Sequence, residues 1–191
     1  MDICFATNNE YKLQEIKALL GKKIKILGLQ EIGCTEELPE NQDTLEGNSK
    51  EKAEYVFEHF KVVCFADDTG LEVDCLNGAP GVKSARFAGE QRSSEDNISL
   101  LLAKLKNETN RSARFRTVIS LAGVGKLKQF EGVIEGKIIG EKRGNDGFGY
   151  DPVFLPESKD LTFAQMPLSE KNKISHRAVA FRKLIQYLQN I

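Results

Sequence analysis

Apolar residues recur along most of the chain at the spacing of strands or of helices, which predicts an α/β fold. Alternating or short apolar runs predict strands at 2–6, 23–27, 62–66, 71–76, 114–122 and 129–139. Helical spacing predicts helices through 13–20, over 44–60, from Ser93 or Ser94 to near Lys106, and through 174–188. The last two strands are predicted to form a hairpin across Gly123 and Gly125, so the sheet is predicted to be mixed.

A segment from Arg143 onward interrupts these periodic patterns. It contains Gly144, Gly147 and Gly149, followed by Pro152 and Pro156. Glycine and proline at this density predict irregular backbone or a strand with bulges. Irregular segments held by a rigid scaffold often build sites, so we expect functional residues here.

Composition narrows the class of protein. The 191 residues carry 27 Lys and Arg against 28 Asp and Glu, a formal net charge of -1. This balance argues against broad binding to nucleic acid or to an anionic membrane, so an anionic ligand must be met locally. The four cysteines form no C-x-x-C pair, which disfavours zinc. Without a signal peptide or a membrane-length apolar run, we expect a cytoplasmic protein.

The junction of the first strand and first helix is a candidate anion site. Backbone N–H groups are free at the start of a helix, and the helix dipole favours negative charge there. The residues of this junction are Thr7, Asn8, Asn9, Glu10, Tyr11 and Lys12. An ordinary helix cap beside a solvated lysine explains the same residues.

Two adjacent carboxylates, Asp67 and Asp68, follow a buried strand, and Asp68 could hold a hard cation and polarise water. An acidic turn with Gly70 in a left-handed conformation is the simpler alternative. Glu40 could supply a further oxygen to a metal, although loop glutamates are usually solvated. Lys52 lies near the apolar face of the second helix, where a surface lysine is common.

Two later groups could meet a base and a sugar. Phe148, Gly149, Tyr150 and Asp151 combine small residues with an aromatic ring that can stack on a base. Lys171, His176 and Arg177 lie near the start of the closing helix and could meet phosphate or a carbonyl oxygen. A glycine-rich turn over the core and a charged helix start explain them equally well.

Together the four groups resemble, in order and over nearly the whole chain, the inosine triphosphate pyrophosphatase family. The matching blocks are Thr7-x-Asn9-x-x-Lys12, Ala66-Asp67-Asp68-Thr69-Gly70-Leu71, Gly78-Ala79-Pro80-Gly81 with Ser84-Ala85-Arg86, Phe148-Gly149-Tyr150-Asp151-Pro152 and Ser175-His176-Arg177. One departure is Gly47 before Asn48, where many bacterial relatives have glutamate in the block E-N-A.

The resemblance implies an elongated mixed β-sheet with flanking helices, two lobes around a central cleft, a homodimer and a Mg²⁺ requirement. It implies one pyrophosphatase domain over 1–191 that cuts inosine, deoxyinosine and xanthosine triphosphates to monophosphate and pyrophosphate. By position, Thr7 to Lys12 and Lys52 would hold the triphosphate, Glu40 and Asp68 the metal, and Asp68 would accept a proton from water. Thr69, Phe148 to Asp151, Lys171, His176 and Arg177 would contact the rest of the substrate.

Two other hypotheses stay open from the sequence. A Maf-type pyrophosphatase would act on modified pyrimidine or standard nucleotides, but the later two blocks speak against it. A module that binds triphosphates without hydrolysis is disfavoured by the joint presence of Lys12, Glu40 and Asp68. For Arg177, a contact to the purine 6-oxo group and a contact to phosphate are both possible.

Overall fold

The computed structural model describes residues 2–19 and 24–190. Its strands are β1 (Asp2–Phe5), β2 (Lys25–Leu27), β3 (Cys64–Val73), β4 (Pro80–Gly81), β5 (Ser112–Ala122), β6 (Lys128–Ile138) and β7 (Phe154–Pro156). Its α-helices are α1 (Glu10–Leu19), α2 (Leu45–Phe60), α3 (Ser94–Lys104), α4 (Leu168–Ile174) and α5 (His176–Gln189). The predicted α/β class is therefore confirmed.

The strands follow the order β2-β1-β3-β5-β6-β7, and β4 pairs with β3. β1 runs parallel to both β2 and β3, whereas β4 is antiparallel to β3 and β7 is antiparallel to β6. This combination confirms the predicted mixed sheet. β5 and β6 are neighbours in sequence and in the sheet, as the alternating segments 114–122 and 129–139 predicted.

Two compact units divide the chain, and each contains its own apolar core. Unit 1 comprises Met1–Asp68, Thr117–Gly132 and Arg177–Ile191. In it Phe5 and Phe65 stack with ring centroids 4.6 Å apart, and Phe181 of α5 packs on Phe65 at 5.7 Å. β3 therefore contacts α5 through Phe65, and β1 stacks on β3 through Phe5.

Unit 2 comprises Thr69–Arg116 and Val133–His176. Its core gathers aromatic rings from β5, β7 and the short 3-10 helix Phe163–Gln165. Phe154 lies 4.6 Å from Phe115 and 5.3 Å from Phe163, measured between ring centroids. Ile98 and Leu101 of α3 are buried in the same core.

Side-chain caps begin α2 and α3. Thr44 accepts the N–H of Gly47 at the start of α2, and Ser93 accepts the N–H of Asp96 at the start of α3. Both caps agree with the predicted helix boundaries. Within residues 2–19 and 24–190, no helix is long and apolar enough to cross a membrane.

Three predicted boundaries need correction or lie beyond the description. The strands predicted at 62–66 and 71–76 are joined in one strand, β3 (Cys64–Val73), because the chain stays extended through the two aspartates. The end of the second prediction is wrong, because Asp74–Leu76 is a 3-10 helix. Gly70 is accordingly not left-handed, and a Cβ there would approach the carbonyl oxygen of Gly81 at 2.6 Å. The closing helix is two helices, because Ser175 is extended between α4 and α5. Leu20 and Lys23 of the predicted elements lie outside the described residues.

Candidate functional site

The junction of β1 and α1 is a capped helix start. Asn9 precedes α1 and its Oδ1 accepts the backbone N–H of Lys12 at 3.2 Å, while Thr7 Oγ1 accepts the N–H of Asn9 at 3.2 Å. Glu10 and Tyr11 are exposed on the first turn. The cap predicted from the sequence is therefore present, and an anion-binding role for the remaining amides stays a prediction.

The Asn8 side chain holds the acidic loop, residues 36–43, which precedes α2. Its Oδ1 accepts the N–H of Leu38 at 3.3 Å, and its Nδ2 donates to the carbonyl of Glu36 at 3.3 Å. A contact from Asn8 to a ligand would therefore come most simply from its backbone. Asn8 thus joins the turn between β1 and α1 to the acidic loop within unit 1.

Asp67 and Asp68 lie in the middle of β3, so their side chains point to opposite faces of the strand. On one face, Asp67 accepts from Lys12 Nζ at 2.9 Å and from Arg177 Nε at 3.2 Å. Arg177 also pairs with Glu15 of α1. Asp67, Arg177 and Glu15 are all at least nine-tenths buried. This buried charge network places Lys12 beside β3.

On the other face, Asp68 contacts side chains of α2, one of which also contacts Glu40 of the acidic loop. Asn48 Nδ2 donates to Asp68 Oδ2 at 3.2 Å, and Lys52 Nζ lies 3.6 Å from Asp68 Oδ1. The same ammonium lies 2.7 Å from Glu40 Oε1. Of the residues predicted to bind metal and triphosphate, Glu40, Lys52 and Asp68 are therefore brought together.

The pKa values of Asp67 and Asp68 are shifted in opposite directions by burial and by neighbouring charges. Burial opposes ionisation of Asp67, but Lys12 and Arg177 outweigh it and hold the pKa of that carboxyl below its ordinary value. Burial raises the pKa of Asp68 above its ordinary value, although Lys52 and Lys12 counteract it. Asp68 is therefore the stronger base of the two, as a proton acceptor requires.

The donors around Lys52 suit a hard divalent cation. Glu40 and Asp68 already converge on one cationic group, and carboxylate oxygens are the ligands that Mg²⁺ prefers. Within residues 2–19 and 24–190, no group of three or more His, Cys, Asp or Glu side chains could hold a metal. Mg²⁺ is commonly bound by one or two carboxylates with substrate phosphates and water, so this pair fits it.

In unit 2 the residues predicted for the base form a second polar group. Lys171 and Asp151 make a buried ion pair at 2.6 Å, and the same carboxylate accepts the N–H of Phe148 at 2.9 Å. The Lys171 ammonium lies 5.2 Å from the ring centroid of Phe148. Gly149, which follows Phe148 in the sequence, has a positive φ of 61°. The structure thus brings Phe148, Asp151 and Lys171 together.

The other predicted residues of unit 2 have separate surroundings. His176 is buried and stacks on Phe115 with ring centroids 4.7 Å apart. Tyr150 donates to the carbonyl of Ser84 at 2.9 Å, and burial raises the pKa of its phenol. Thr69 is half-buried and follows Asp68 directly in β3. Tyr150 is thus an anchor of the core.

The sequence left three charged or polar residues of these networks unassigned: Glu15, Asn48 and Asp67. Glu15 lies three residues after Lys12, a spacing that places both side chains on one helix face, and this was an available signal. For Asp67 the sequence leaves open an acidic turn or the end of a strand, and neither alternative contains the alternation of β3. Asn48 carried no signal of its own beyond its place in the family block.

Cys4 and Cys64 are buried free cysteines of unit 1, and their burial predicts low reactivity. Burial raises the pKa of each thiol to about 12. Thiolates are the reactive form, so we expect neither residue to be alkylated by iodoacetamide in the folded protein at pH 8. Mass spectrometry with and without urea checks this, with half-buried Cys75 for comparison. Modification of Cys4 or Cys64 before unfolding would contradict the expected inertness.

The fold and these groups define a class of protein. Unit 1 presents a helix N-terminus and Lys12 beside a parallel strand, with a carboxylate pair suited to a hard cation on the other face of β3. Amide donors, lysines and a divalent cation are what proteins use to neutralise phosphate groups. The class is that of α/β proteins that handle phosphorylated ligands.

Comparison with known proteins specifies the family. The Ham1 family profile matches residues 3–187, and the chain belongs to the Ham1 family. A dITP/XTP pyrophosphatase of Christiangramia forsetii is 52% identical over 188 residues, which cover 98% of this chain and 99% of that relative. One of Flavobacterium psychrophilum is 52% identical over 190 residues and covers 100% of both chains.

A solved structure agrees with this assignment. The Ham1 protein of Staphylococcus aureus superposes with a TM-score of 0.90 at 39% identity, covering 100% of this chain and 99% of that one. The family resemblance inferred from the matching sequence blocks is confirmed by these matches.

Proposed function

We propose that this chain hydrolyses deoxyinosine, inosine and xanthosine triphosphates to the nucleoside monophosphate and pyrophosphate. The observation that carries the proposal is the convergence of Glu40 and Asp68 on Lys52. The two relatives named dITP/XTP pyrophosphatase, matched over nearly their full lengths, support it. We take residues 1–191 as one catalytic domain, since the family profile spans 3–187.

The triphosphate is assigned to groups of unit 1. A nucleoside triphosphate brings about four negative charges, which backbone amides and cations must neutralise. The amides of the Thr7 to Lys12 turn, with Lys12 and Lys52, are the donors we assign to it. Lys12 is held by Asp67, so its ammonium is fixed before the ligand arrives. A fixed donor loses little conformational entropy on binding.

Asp68 is assigned to the reacting water. Its raised pKa allows it to take the proton from water as the water oxygen forms a bond to the α-phosphorus. The bond from that phosphorus to the bridging oxygen breaks, and pyrophosphate leaves with the electron pair. Mg²⁺, held by Glu40 and Asp68, would supply charge neutralisation for the triphosphate and the leaving pyrophosphate.

Recognition of the base is assigned to Phe148, Gly149, Asp151, Lys171 and His176. Tyr150 supports this group from the core, and Thr69 is assigned a contact to the substrate beside Asp68. Hypoxanthine and xanthine carry a 6-oxo acceptor where adenine carries an amino donor. A protein donor facing this position leaves adenine unpaired, which disfavours it by about 1–3 kcal/mol. The Arg177 guanidinium is a further candidate donor, although it pairs with Asp67 and Glu15.

We further infer a cytoplasmic homodimer that binds neither nucleic acid nor membranes. The dimer comes from the family resemblance. The four free cysteines suit a reducing compartment, and the near-zero net charge of -1 gives no broad attraction for nucleic acid or anionic lipid. Sedimentation at micromolar concentration tests the dimer, and a single monomeric species would contradict it.

Removing the divalent cation should abolish turnover. Without a cation, the negative charges of Glu40, Asp68 and the triphosphate are not neutralised. We therefore expect activity in EDTA to fall by at least about a hundredfold. Pyrophosphate release from dITP, measured before and after adding excess MgCl₂, checks this. Full turnover in EDTA would remove Glu40 and Asp68 from a metal-binding role.

The products test the proposed reaction directly. Hydrolysis of dITP in ¹⁸O-labelled water should give pyrophosphate and deoxyinosine monophosphate, with the label only in the monophosphate, because water attacks the α-phosphorus. Label in pyrophosphate would place the attack at the β-phosphorus. Tight dITP binding without any product would favour a module that binds triphosphates and does not hydrolyse them.

A further inference from the structure

Gly47 occupies the third position of α2, where glycine is a poor choice for the helix itself. Glycine costs about 1 kcal/mol relative to alanine in a helix, and a glutamate here would complete a capping box with Thr44. Its backbone does not have the positive φ that favours glycine. A reason for Gly47 must therefore come from its surroundings.

Those surroundings are the side chain of Gln42 in the acidic loop. A Cβ at position 47 would lie 2.6 Å from Gln42 Cβ and 3.0 Å from Gln42 Cγ. Neither atom is the flexible end of the side chain, so any larger residue at position 47 must push the loop away from α2. Gly47 thus allows residues 41 and 42 to lie directly on the helix.

The loop is held in that position by two side chains of α2. Asn48 Oδ1 accepts the backbone N–H of Gln42 at 2.9 Å, and Glu51 accepts the backbone N–H of Asn41 at 2.8 Å. Glu51 also accepts Asn41 Nδ2 at 3.2 Å. Glu40, the residue immediately before these two, is thereby fixed next to α2.

These bonds close a ring that includes the carboxylate pair. From Gln42 the ring passes through Asn48 to Asp68 at 3.2 Å, then to Lys52 at 3.6 Å, and from Lys52 to Glu40 at 2.7 Å. Asn48 therefore contacts both the loop that carries Glu40 and the carboxylate of Asp68. A displacement of Gln42 would move Glu40 relative to Asp68.

We propose that Gly47, Asn48 and Glu51 are positioning residues, which set the distance between Glu40 and Asp68 by seating residues 41 and 42 on α2. This inference extends the proposed function, since it concerns the same two carboxylates. It explains the departure of this chain from the E-N-A block as a local packing solution in which glycine makes room for Gln42.

Gly47→Ala separates this role from a plain helix effect. Alanine favours the helix, so a purely structural role predicts equal or higher stability and unchanged function. The positioning role predicts that the Gln42 amide of the metal-free protein exchanges with solvent about tenfold faster or more, because it loses Asn48. It also predicts that the Mg²⁺ concentration for half-maximal dITP hydrolysis rises about tenfold or more.

The double variant Gln42→Gly with Gly47→Ala supplies the rescue. It removes the two Gln42 atoms that the new methyl group would meet and keeps Thr44 Oγ1, the helix cap, which would lie 3.0 Å from that group. The backbone N–H to Asn48 is also kept, so exchange and the Mg²⁺ requirement should return close to wild type. Lys50→Ala is the matched control. Lys50 is exposed on the same helix, and its ammonium lies 3.7 Å from the carboxylate of Glu54 in an exposed ion pair. It should change neither measurement.

Three results would overturn the inference: unchanged Gln42 exchange in Gly47→Ala, an unchanged Mg²⁺ requirement, or a double variant as impaired as Gly47→Ala. Amide exchange is measured without nucleotide or metal, so it reports on the loop independently of the reaction. A wild-type protein that releases no pyrophosphate from dITP would overturn the proposed function. The amide exchange of Gln42 would then still test whether Gly47 seats residues 41 and 42 on α2.

Discussion

Asp68→Asn should lower kcat for dITP by at least about a hundredfold and leave the fold intact. Asparagine has the shape of aspartate but neither its charge nor its capacity to accept a proton from water. Asp68 is the carboxylate of β3 whose pKa is raised, and it contacts Asn48 and Lys52. Steady-state pyrophosphate release and a circular dichroism spectrum of the variant measure both parts.

Glu72→Gln is the control for that substitution. Glu72 lies on the same strand and pairs with Arg116 at 3.0 Å, so it tests the loss of a β3 carboxylate with no assigned role in the reaction. We expect kcat within about twofold of wild type, as for a partly exposed ion pair. An active Asp68→Asn protein would move the proton acceptor to another residue.

Arg177→Ala should lower the free energy of unfolding by about 3–5 kcal/mol, the cost of breaking a buried ion pair by removing one partner. Arg177 is 1% exposed, and its guanidinium pairs with Asp67 and Glu15. Removing it leaves two buried carboxylates that were paired with it. Urea unfolding measures the loss, and Arg182→Ala, an exposed residue of the same helix, is the control.

A destabilisation below about 1 kcal/mol, typical of exposed ion pairs, would contradict the role of Arg177 in the buried network. The same variant separates the two hypotheses for its functional contact. A fall in kcat/KM confined to dITP indicates a contact to the 6-oxo group. An equal fall for dITP and dATP indicates that Arg177 acts through Asp67 and Lys12 on phosphate.

The elements of this fold follow closely from the apolar periodicity, because strands and helices bury different repeats. The predicted hairpin and the helix from Thr44 both match the structure, since alternation and a side-chain cap are local signals. β3 was split in error because two aspartates and a glycine are typical of a turn. Buried partners from distant segments keep those carboxylates in a strand, and a local pattern does not contain such partners.

The candidate site was predictable to a similar depth. Motif order indicated Lys12, Glu40, Lys52 and Asp68, and the structure places the last three in contact. The pairing of Arg177 with Asp67 joins residues 110 positions apart, which no local pattern reveals. The contact between Gly47 and Gln42 was equally hidden, because it depends on the path of the acidic loop over α2.

Substrate selectivity tests the central claim most directly. We would measure kcat/KM for pyrophosphate release from dITP, XTP and dATP under the same Mg²⁺ concentration. A donor matched to the 6-oxo group, worth about 1–3 kcal/mol, predicts that dITP and XTP exceed dATP by about five- to 150-fold. Equal values for dATP and dITP, or orthophosphate in place of pyrophosphate, would contradict the proposed function.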